Sequence, residues 1–264
     1  MWSDIHHFQS VTSTNDIALS LAKDGAPHGT VVSAARQTKG RGRMGATWGT
    51  AEGCLAMSVL IRPGALSVGE ADVLPGLTPA HATRLTLIAA VAVCEALHTL
   101  GAGAHAKIKW PNDIMLLSGE RARKVCGILT ELSSTSGHID FAVLGIGINI
   151  ERSPHPASAI PSEAAFLSDI GVRTNIEAVR KEVLTELARF LPAATPALSF
   201  SPRALATDFS GVIELWRKHN VTLGSHIFVK EQGFSGIAKD ITPDGALVMQ
   251  LDDGSLKQIY AGTF

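Results

Sequence analysis

The most apolar stretch of the chain, LTLIAAVAVCEAL from Leu85 to Leu97, sets the first constraint on the fold. It is too short to span a bilayer and ends against glutamate and histidine. We therefore predict a buried helix that continues to Leu100. A chain of 264 residues can enclose it in one large domain with a small appendage, or in two medium domains.

Strand-like and helix-like segments lie on both sides of this helix. Alternating or β-branched runs predict strands at IHHFQSV, TVVSAARQ, GCLAMSVLIRP, HAKIKWPNDIMLL, RKVCGILTEL and IDFAVLGIGINI. Helical spacing of apolar residues predicts helices at IALSLAKDG and NIEAVRKEVLTELARFL. This clustering predicts an α+β fold, in which helices pack on one mixed or antiparallel sheet.

The pattern changes at Val221. HIFVK, FSGIAKDI, ALVMQL and LKQIYAG are short strand-like runs, and TPDGA and DDGS are hairpin-turn signals between them. PAATPALSFSPRA has the composition of a linker, and VIELWRKHN is typical of the end of a helix. We therefore divide the chain into a large domain at 1–200, a connecting helix at 201–220 and a small C-terminal β domain at 221–264, which we expect to be a β barrel or sandwich.

Composition narrows the function classes. The net charge of -1 provides no basic field that would hold nucleic acid or a membrane surface. The three cysteines form no CxxC pair, which predicts small core residues in a reducing compartment. The N-terminus lacks the pattern of a secretory signal, so we expect a cytoplasmic protein. No HExxH motif or zinc-spaced Cys/His pair is present, so no metal-ligand cluster is expected.

The loop GRGRMGATW, from Gly40 to Trp48, concentrates two arginines on a glycine-rich backbone between two predicted strands. Glycine leaves backbone N–H groups accessible, and arginine offers a planar fork of donors that matches phosphate or carboxylate. The spacing fits neither a Walker A loop nor the dinucleotide fingerprint. The pattern favours an anion site, but a mobile surface turn or a nonspecific nucleic-acid contact would have the same composition.

Three further motifs have a functional and an ordinary interpretation. KWPNDIML is either a common turn or a site in which Lys109 and Asp113 need partners, and Asp113 is suited to magnesium. In RKVCGILTE, Lys124 is either a solvated strand residue or a site residue, and regular strand alternation would place it on the same face as Cys126. The glycines of GIGINI mark close approach of a ligand or of a packed helix.

Together and in order, TSTN, RQTKGRGRMGATW, KWPNDIML, RKVCGILTE and GIGINI resemble the motifs of the biotin protein ligase family. They cover most of residues 10–150, and the C-terminal β segment with its PDGALVM turn resembles the small SH3-like domain of that family. The resemblance implies a class II synthetase-like catalytic domain. It also implies that biotin and ATP form biotinyl-5'-AMP and pyrophosphate, with Mg²⁺ as the ion and no bound prosthetic group. Biotin then passes to a lysine of a biotin carboxyl carrier protein, in acetyl-CoA carboxylase or a related carboxylase.

The resemblance also assigns roles to residues of this chain. Lys124 and Arg43 are expected to be catalytic, because they would neutralise the reacting anions. The nucleotide is expected to contact Arg41, Arg43, Lys109, Asn112 and Asn149, and Asp113 is expected to hold Mg²⁺. The expected biotin contacts are Ser13, Thr14, Asn15, Gln37, Gly40, Arg41, Gly42, Trp48, Lys124 and Gly127. The family loop commonly has a third arginine where Ala46 stands, so one cationic contact is missing.

Two other functions remain in view. A lipoate or octanoate ligase or transferase would use the same catalytic fold, although the GRGRxG loop and the C-terminal segment favour biotin. A nucleic-acid-binding module is a more distant alternative. The STN motif begins at Ser13 and leaves no room before it for a winged helix-turn-helix, so no repressor activity is expected. The family also includes homodimers that pair through the central sheet, so a homodimer is possible here. The segment 64–82 has no assigned role.

Overall fold

A computed structural model describes residues 2, 4–62, 82–135, 138–153, 160–191, 209–260 and 262. The unassigned connection at 64–82 lies outside these residues except for its last position, where a helix begins. The predicted linker PAATPALSFSPRA lies wholly outside them, and so does the proposed boundary at residue 200.

A seven-stranded mixed sheet forms the large part of the fold. Its strands lie in the order β1-β2-β3-β7-β6-β5-β4; β1 and β2 are parallel, and every other neighbouring pair is antiparallel. The mixed sheet expected from the sequence is thereby confirmed. The strands are β1 (Ile5–Phe8), β2 (Val31–Ala34), β3 (Cys54–Ile61), β4 (Ala106–Lys109), β5 (Asp113–Ser118), β6 (Arg121–Thr135) and β7 (His138–Asn149).

Helices cover both faces of this sheet. On one face, α2 (Ala82–Leu97) and α3 (Ile176–Phe190) form the main hydrophobic core with the apolar residues of the strands. On the other face, α1 (Thr14–Lys23) packs through Ala18 and Ala22 against a smaller apolar cluster. Helix α1 covers only part of its face, and the remainder of that face includes Gly127, Gly145 and Gly147.

The predicted buried helix is α2. Its residues from Leu87 to Cys94 are each at most 1% exposed, which confirms the prediction. The whole helical run, Thr83–His105, is 23 residues and so is long and apolar enough to cross a membrane, but 67% of its most apolar window is buried inside the protein. That burial is typical of a core helix. The α-helix ends at Leu97, before a π-helical turn in which Gly101 has φ 101°.

A second, four-stranded antiparallel sheet follows helix α4 (Ser210–His219), and this confirms the predicted C-terminal β segment. Gly245 and Gly254, in the predicted TPDGA and DDGS turns, have φ 90° and 84°, a conformation that favours glycine. The sheet lies in the order β11-β10-β9-β8, with strands β8 (His226–Val229), β9 (Phe234–Ile241), β10 (Leu247–Leu251) and β11 (Leu256–Ile259).

Trp110, in the turn between β4 and β5, joins the two sheets. Its backbone N–H donates to Thr222 Oγ1 at 2.8 Å, and its indole Nε1–H donates to the Gly245 carbonyl oxygen at 3.1 Å. The Val221 N–H donates to the Ile108 carbonyl at 2.9 Å, beside the same turn. Trp110 is 2% exposed, so these hydrogen bonds are shielded from water. The C-terminal sheet is therefore attached directly to the KWPND turn.

Thr222→Val is expected to destabilise the protein, because it leaves the buried Trp110 N–H without an acceptor. The expected loss in free energy of unfolding is about 1–3 kcal/mol, measured by urea denaturation. Thr185→Val is the matched control: Thr185 is exposed on α3, and this change should alter the free energy by no more than about 0.5 kcal/mol. Equal stability of the two variants would contradict the attachment described above.

Candidate active site

A cavity of about 200 Å³ lies on the sheet face that α1 leaves uncovered. The sheet forms its floor, the first turn of α1 forms one wall, and the Gly/Arg loop lies over it. All the site residues expected from the sequence except Gly40 and Asn149 line it: Ser13, Thr14, Asn15, Gln37, Arg41, Gly42, Arg43, Trp48, Lys109, Asn112, Asp113, Lys124 and Gly127.

Glycines make the floor flat enough for side chains to lie on it. Gly127 and Gly147 are paired across β6 and β7, and the indole of Trp48 covers both. A Cβ on Gly147 would overlap Trp48 Nε1, and one on Gly127 would lie 2.9 Å from Trp48 Cζ3. Gly145 is covered in the same way by the amide of Asn15. The elements that approach the GIGINI glycines closely are therefore Trp48 and the first turn of α1.

The Gly/Arg loop folds back on itself. The Trp48 N–H donates to the Gly40 carbonyl at 2.9 Å, and the Gly42 N–H donates to the Ala46 carbonyl at 2.7 Å. Met44 and Gly45 occupy the tip with φ 54° and 76°. Gly40 is required sterically, because a Cβ at this position would overlap the Trp48 carbonyl oxygen. The turn directs Arg41 and Arg43 toward the cavity.

The start of α1 supplies an uncharged polar wall. The backbone N–H of Thr14 donates to Gln37 Oε1 at 2.8 Å, and Gln37 Nε2 donates to Thr50 Oγ1 at 3.1 Å. Ser58, in the middle of β3, donates its hydroxyl proton to Asn15 Oδ1 at 2.5 Å, and its Oγ lies 2.8 Å from Thr14 Oγ1. No role was predicted for Ser58, although a serine within the apolar run CLAMSVLI was a signal.

Arg41 is held by two carboxylates that our sequence analysis did not assign. Its guanidinium forms a two-pronged pair with Glu131, at 2.9 and 2.8 Å, and donates to Asp16 Oδ1 at 2.7 Å. Glu131 also accepts a hydrogen bond from Asn15 Nδ2 at 2.7 Å. Glu131 belongs to the RKVCGILTE motif and Asp16 follows TSTN, but nothing local in either motif indicates that they meet Arg41.

Lys124 and Asp113 form an ion pair at the cavity, with Lys124 Nζ 2.7 Å from Asp113 Oδ1. Lys124 Nζ also lies 5.5 Å from the centroid of the Trp48 ring. The expectation that Lys124 and Cys126 share a face is wrong. The pairing of β5 with β6 is irregular here, since Ile114 pairs with Cys126 and its neighbour Met115 with Lys124. This bulge directs Lys124 to the cavity and Cys126 to the core.

The three cysteines are free and buried, which confirms that they are core residues. Burial raises the pKa of the Cys126 thiol and the pKa of the Cys54 thiol, so both favour the protonated, unreactive form.

Arg43 reaches the KWPND turn. Its Nη1 donates to Asn112 Oδ1 at 2.9 Å, while Asn112 Nδ2 donates to the Ile128 carbonyl at 2.8 Å. Burial lowers the pKa of the Arg43 guanidinium, and the negative charges of Asp113 and Glu231 oppose that shift. Glu231 comes from the turn between β8 and β9, so the C-terminal sheet contributes to the charge balance. This contribution was not predicted from the sequence.

Asn149 lies apart from the residues that line the cavity in the described part of the chain. Its Nδ2 donates to the Ala165 carbonyl at 3.1 Å, and its Oδ1 accepts from Cys54 Sγ at 3.5 Å. Both ends of the amide are used within the protein, so its expected nucleotide contact stays a prediction.

Two polar groups at the cavity lack an expected hydrogen bond among the described residues. Ser13 is 3% exposed and is the N-cap of α1, but its hydroxyl makes no capping hydrogen bond. Trp48 Nε1 is buried and has no hydrogen-bond partner among the described residues. Small-molecule sites usually measure about 300–1,000 Å³. This cavity is smaller, and residues of the Gly/Arg loop that lies over it form part of its lining.

Gly147→Ala is expected to displace Trp48 from the floor. Overpacking of this kind costs about 1–3 kcal/mol, which should make hydrogen exchange at the Trp48 amide about tenfold faster or more. Gly211→Ala is the control, because a Cβ on Gly211 meets no atom within 4 Å. Unchanged exchange in Gly147→Ala would show that Trp48 does not rest on this glycine.

Comparison with known proteins identifies the family. Residues 7–149 match the biotin/lipoate A/B protein ligase family, and residues 222–264 match the biotin protein ligase C-terminal domain. The bifunctional ligase/repressor BirA of Bacillus subtilis is 32% identical over 257 residues, which cover 95% of this chain and 70% of the relative. The biotin--[acetyl-CoA-carboxylase] ligase of Paracoccus denitrificans is 31% identical over 244 residues and 90% of each chain.

A solved structure is similar over nearly the whole length. The biotin protein ligase from Aquifex aeolicus in complex with biotin and ATP superimposes with a TM-score of 0.74 at 26% identity, covering 98% of this chain and 97% of the other. The superposition and the two matched segments agree. The chain belongs to the biotin/lipoate A/B protein ligase family and carries the C-terminal domain of the biotin protein ligases.

Proposed function

We propose that this protein is a biotin protein ligase, which activates biotin with ATP and transfers it to a lysine of a biotin carboxyl carrier protein. One observation carries the proposal: an uncharged polar wall and a group of cations meet at a single cavity. Ser13, Thr14 and Gln37 form the wall, and Arg43 and Lys124 line the same cavity. The wall suits the polar ring of biotin, and the cations suit a carboxylate and a phosphate.

The first step joins two anions, so the protein must overcome their repulsion. A biotin carboxylate oxygen attacks the α-phosphorus of ATP, and the bond to pyrophosphate breaks. Lys124 and Arg43 are the groups that would reduce this repulsion and hold the reacting atoms together. In the second step the amine of a carrier lysine attacks the acyl carbon, releases AMP and loses a proton.

The ion pairs of the cavity suggest how the cations stay ordered before substrates arrive. Lys124 is paired with Asp113, and Arg41 with Glu131 and Asp16. Substrate anions would replace these carboxylates as partners, so the cations need no large rearrangement. The loop would then cover the mixed anhydride and keep water from it.

Magnesium would be held at the phosphate side of the cavity. Mg²⁺ is usually bound by one or two carboxylates together with substrate phosphates. Asp113 places one carboxylate at the cavity, and this donor set fits. The ion would neutralise charge on the pyrophosphate leaving group, and Asp113 would be one of its ligands.

The decisive test of the substrate is exchange of labelled pyrophosphate into ATP with biotin, lipoate or octanoate, in the presence of magnesium. Exchange with biotin alone is expected, because the 222–264 segment matches the biotin protein ligase C-terminal domain. Exchange with lipoate or octanoate alone would instead assign the chain to the acyl ligases of the same family. No exchange with any of the three acids would contradict the proposal that this protein activates a carboxylic acid with ATP.

Pairing of two copies is a separate proposal. The two edge strands of the large sheet are β1 and β4. The edge of β4 is occupied by the bridge between Ile108 and Asn220, so β1 is the edge that we propose for a homodimer. Sedimentation at several protein concentrations would test it.

The cytoplasmic location also stays a prediction.

Lys124→Ala is expected to lower the rate of pyrophosphate exchange by at least about 10²-fold, because one preorganised charge at the reacting anions is lost. Lys181→Ala, an exposed lysine of α3, is the control and should retain full exchange. Both variants should keep the circular dichroism spectrum of the parent protein. Full exchange in Lys124→Ala would remove this residue from the mechanism.

Arg43→Gly is expected to loosen the hold on the intermediate rather than to prevent its formation. The variant would lose the contact with Asn112 and one positive charge above the cavity. Biotinyl-5'-AMP should then escape and label lysines of a bystander protein such as serum albumin, which a streptavidin blot detects. Arg189→Gly, on the exposed end of α3, is the control. Tight retention in Arg43→Gly would contradict the role of the loop.

A further inference from the structure

A group of metal-ligating side chains lies on the α2 side of the sheet, away from the cavity. Cys94 and His98 are four residues apart and so share one face at the end of α2. His219 is the last residue of α4. One ligand atom from each of the three lies within 4.8 Å of the other two. Cys94 and His219 are buried, and His98 is partly buried.

We propose that Cys94, His98 and His219 bind a divalent transition-metal ion of the zinc class. Thiolate and imidazole together favour Zn²⁺ and related ions, whereas Mg²⁺ and Ca²⁺ require oxygen ligands. The site is therefore distinct from the magnesium position proposed at Asp113. Its ligands come from two helices that are far apart in the chain, which is why no zinc-binding motif appears in the sequence.

The distances suit a tetrahedral ion. Cys94 Sγ lies 3.7 Å from His98 Nε2. Typical zinc bonds to sulfur and to imidazole nitrogen, at a tetrahedral angle, place the two ligand atoms about 3.6 Å apart. The rings of His98 and His219 meet edge to face with centroids 4.5 Å apart, so their nitrogens can face a common point. A water molecule would complete the coordination.

Glu95 is placed to orient both imidazoles. Its Oε1 lies 2.7 Å from His219 Nε2 and 3.7 Å from His98 Nδ1. A carboxylate that accepts a hydrogen bond from one ring N–H leaves the other ring nitrogen to the metal. Both ring nitrogens of His219 are buried, and neither has a hydrogen bond of regular geometry among the described residues. With the proton on Nε2, beside Glu95, Nδ1 carries the lone pair that a metal needs.

Metal binding would move one proton within the His98 ring and release another from Cys94. His98 Nε2 now lies 2.9 Å from the Ala106 carbonyl oxygen, a contact that it would give up as its proton moves to Nδ1, beside Glu95. The Cys94 thiol would release its proton to solvent, because the thiolate is the ligand form. The bound ion would then link α2 to α4, and α4 leads into the C-terminal sheet.

The test uses the full chain, freed of metal with a chelator and titrated with Co²⁺ as a spectroscopic substitute for Zn²⁺. We expect one equivalent to bind with a thiolate-to-cobalt charge-transfer band, and Zn²⁺ to displace it. Cys94→Ser should lose the band, while Cys54→Ser, the change of a buried cysteine outside the cluster, should keep it. Glu95→Gln should weaken zinc affinity by about 10–100-fold.

The test does not depend on whether the variants fold, because the cobalt spectrum of the parent protein can already overturn the proposal. No charge-transfer band in the parent protein would overturn it and leave a hydrogen-bonded histidine–carboxylate group in its place. A band that persists in Cys94→Ser, or zinc affinity that is unchanged in both His219→Gln and Cys94→Ser, would place the metal elsewhere and also overturn it.

Discussion

Burial of helix α2 is the constraint on which the rest of the fold depends. From Leu87 to Cys94 the helix has only apolar residues on every side, so it needs protein around its whole circumference. The large sheet covers one side, and α3 and α4 cover the other. Because these layers lie on the α2 face of the sheet, most of the opposite face is left to α1 and the Gly/Arg loop. The cavity occupies that face.

Within the cavity, positive charge is paired with polar or negatively charged side chains. Arg41, Arg43 and Lys124 are each held by a carboxylate or an amide, and these partners come from β5, β6 and α1 or the turn that follows β4. A cation that already has a partner is ordered at little cost when a substrate anion replaces that partner. The ligand-free arrangement therefore anticipates where anions bind in the proposed reaction.

Much of the fold could be predicted because burial and turns leave local patterns. The apolar run around Val91 predicted a core helix, and the PDG and DDG turns predicted the C-terminal hairpins. The bulge near Lys124 could not be predicted in this way, because strand alternation assumes regular pairing. The cluster of Cys94, His98 and His219 could not be predicted from a local pattern either, because its third member comes from another helix.

The sequence by itself determined which segments are buried, where the chain turns and which loop offers donors to an anion, since each of these depends on neighbouring residues. Only the tertiary structure decided which groups face one another: Glu131 with Arg41, Trp48 with Gly147, and Trp110 with Thr222. These partners are far apart in the chain. Sheet order and strand register bring them together, and no local pattern encodes either.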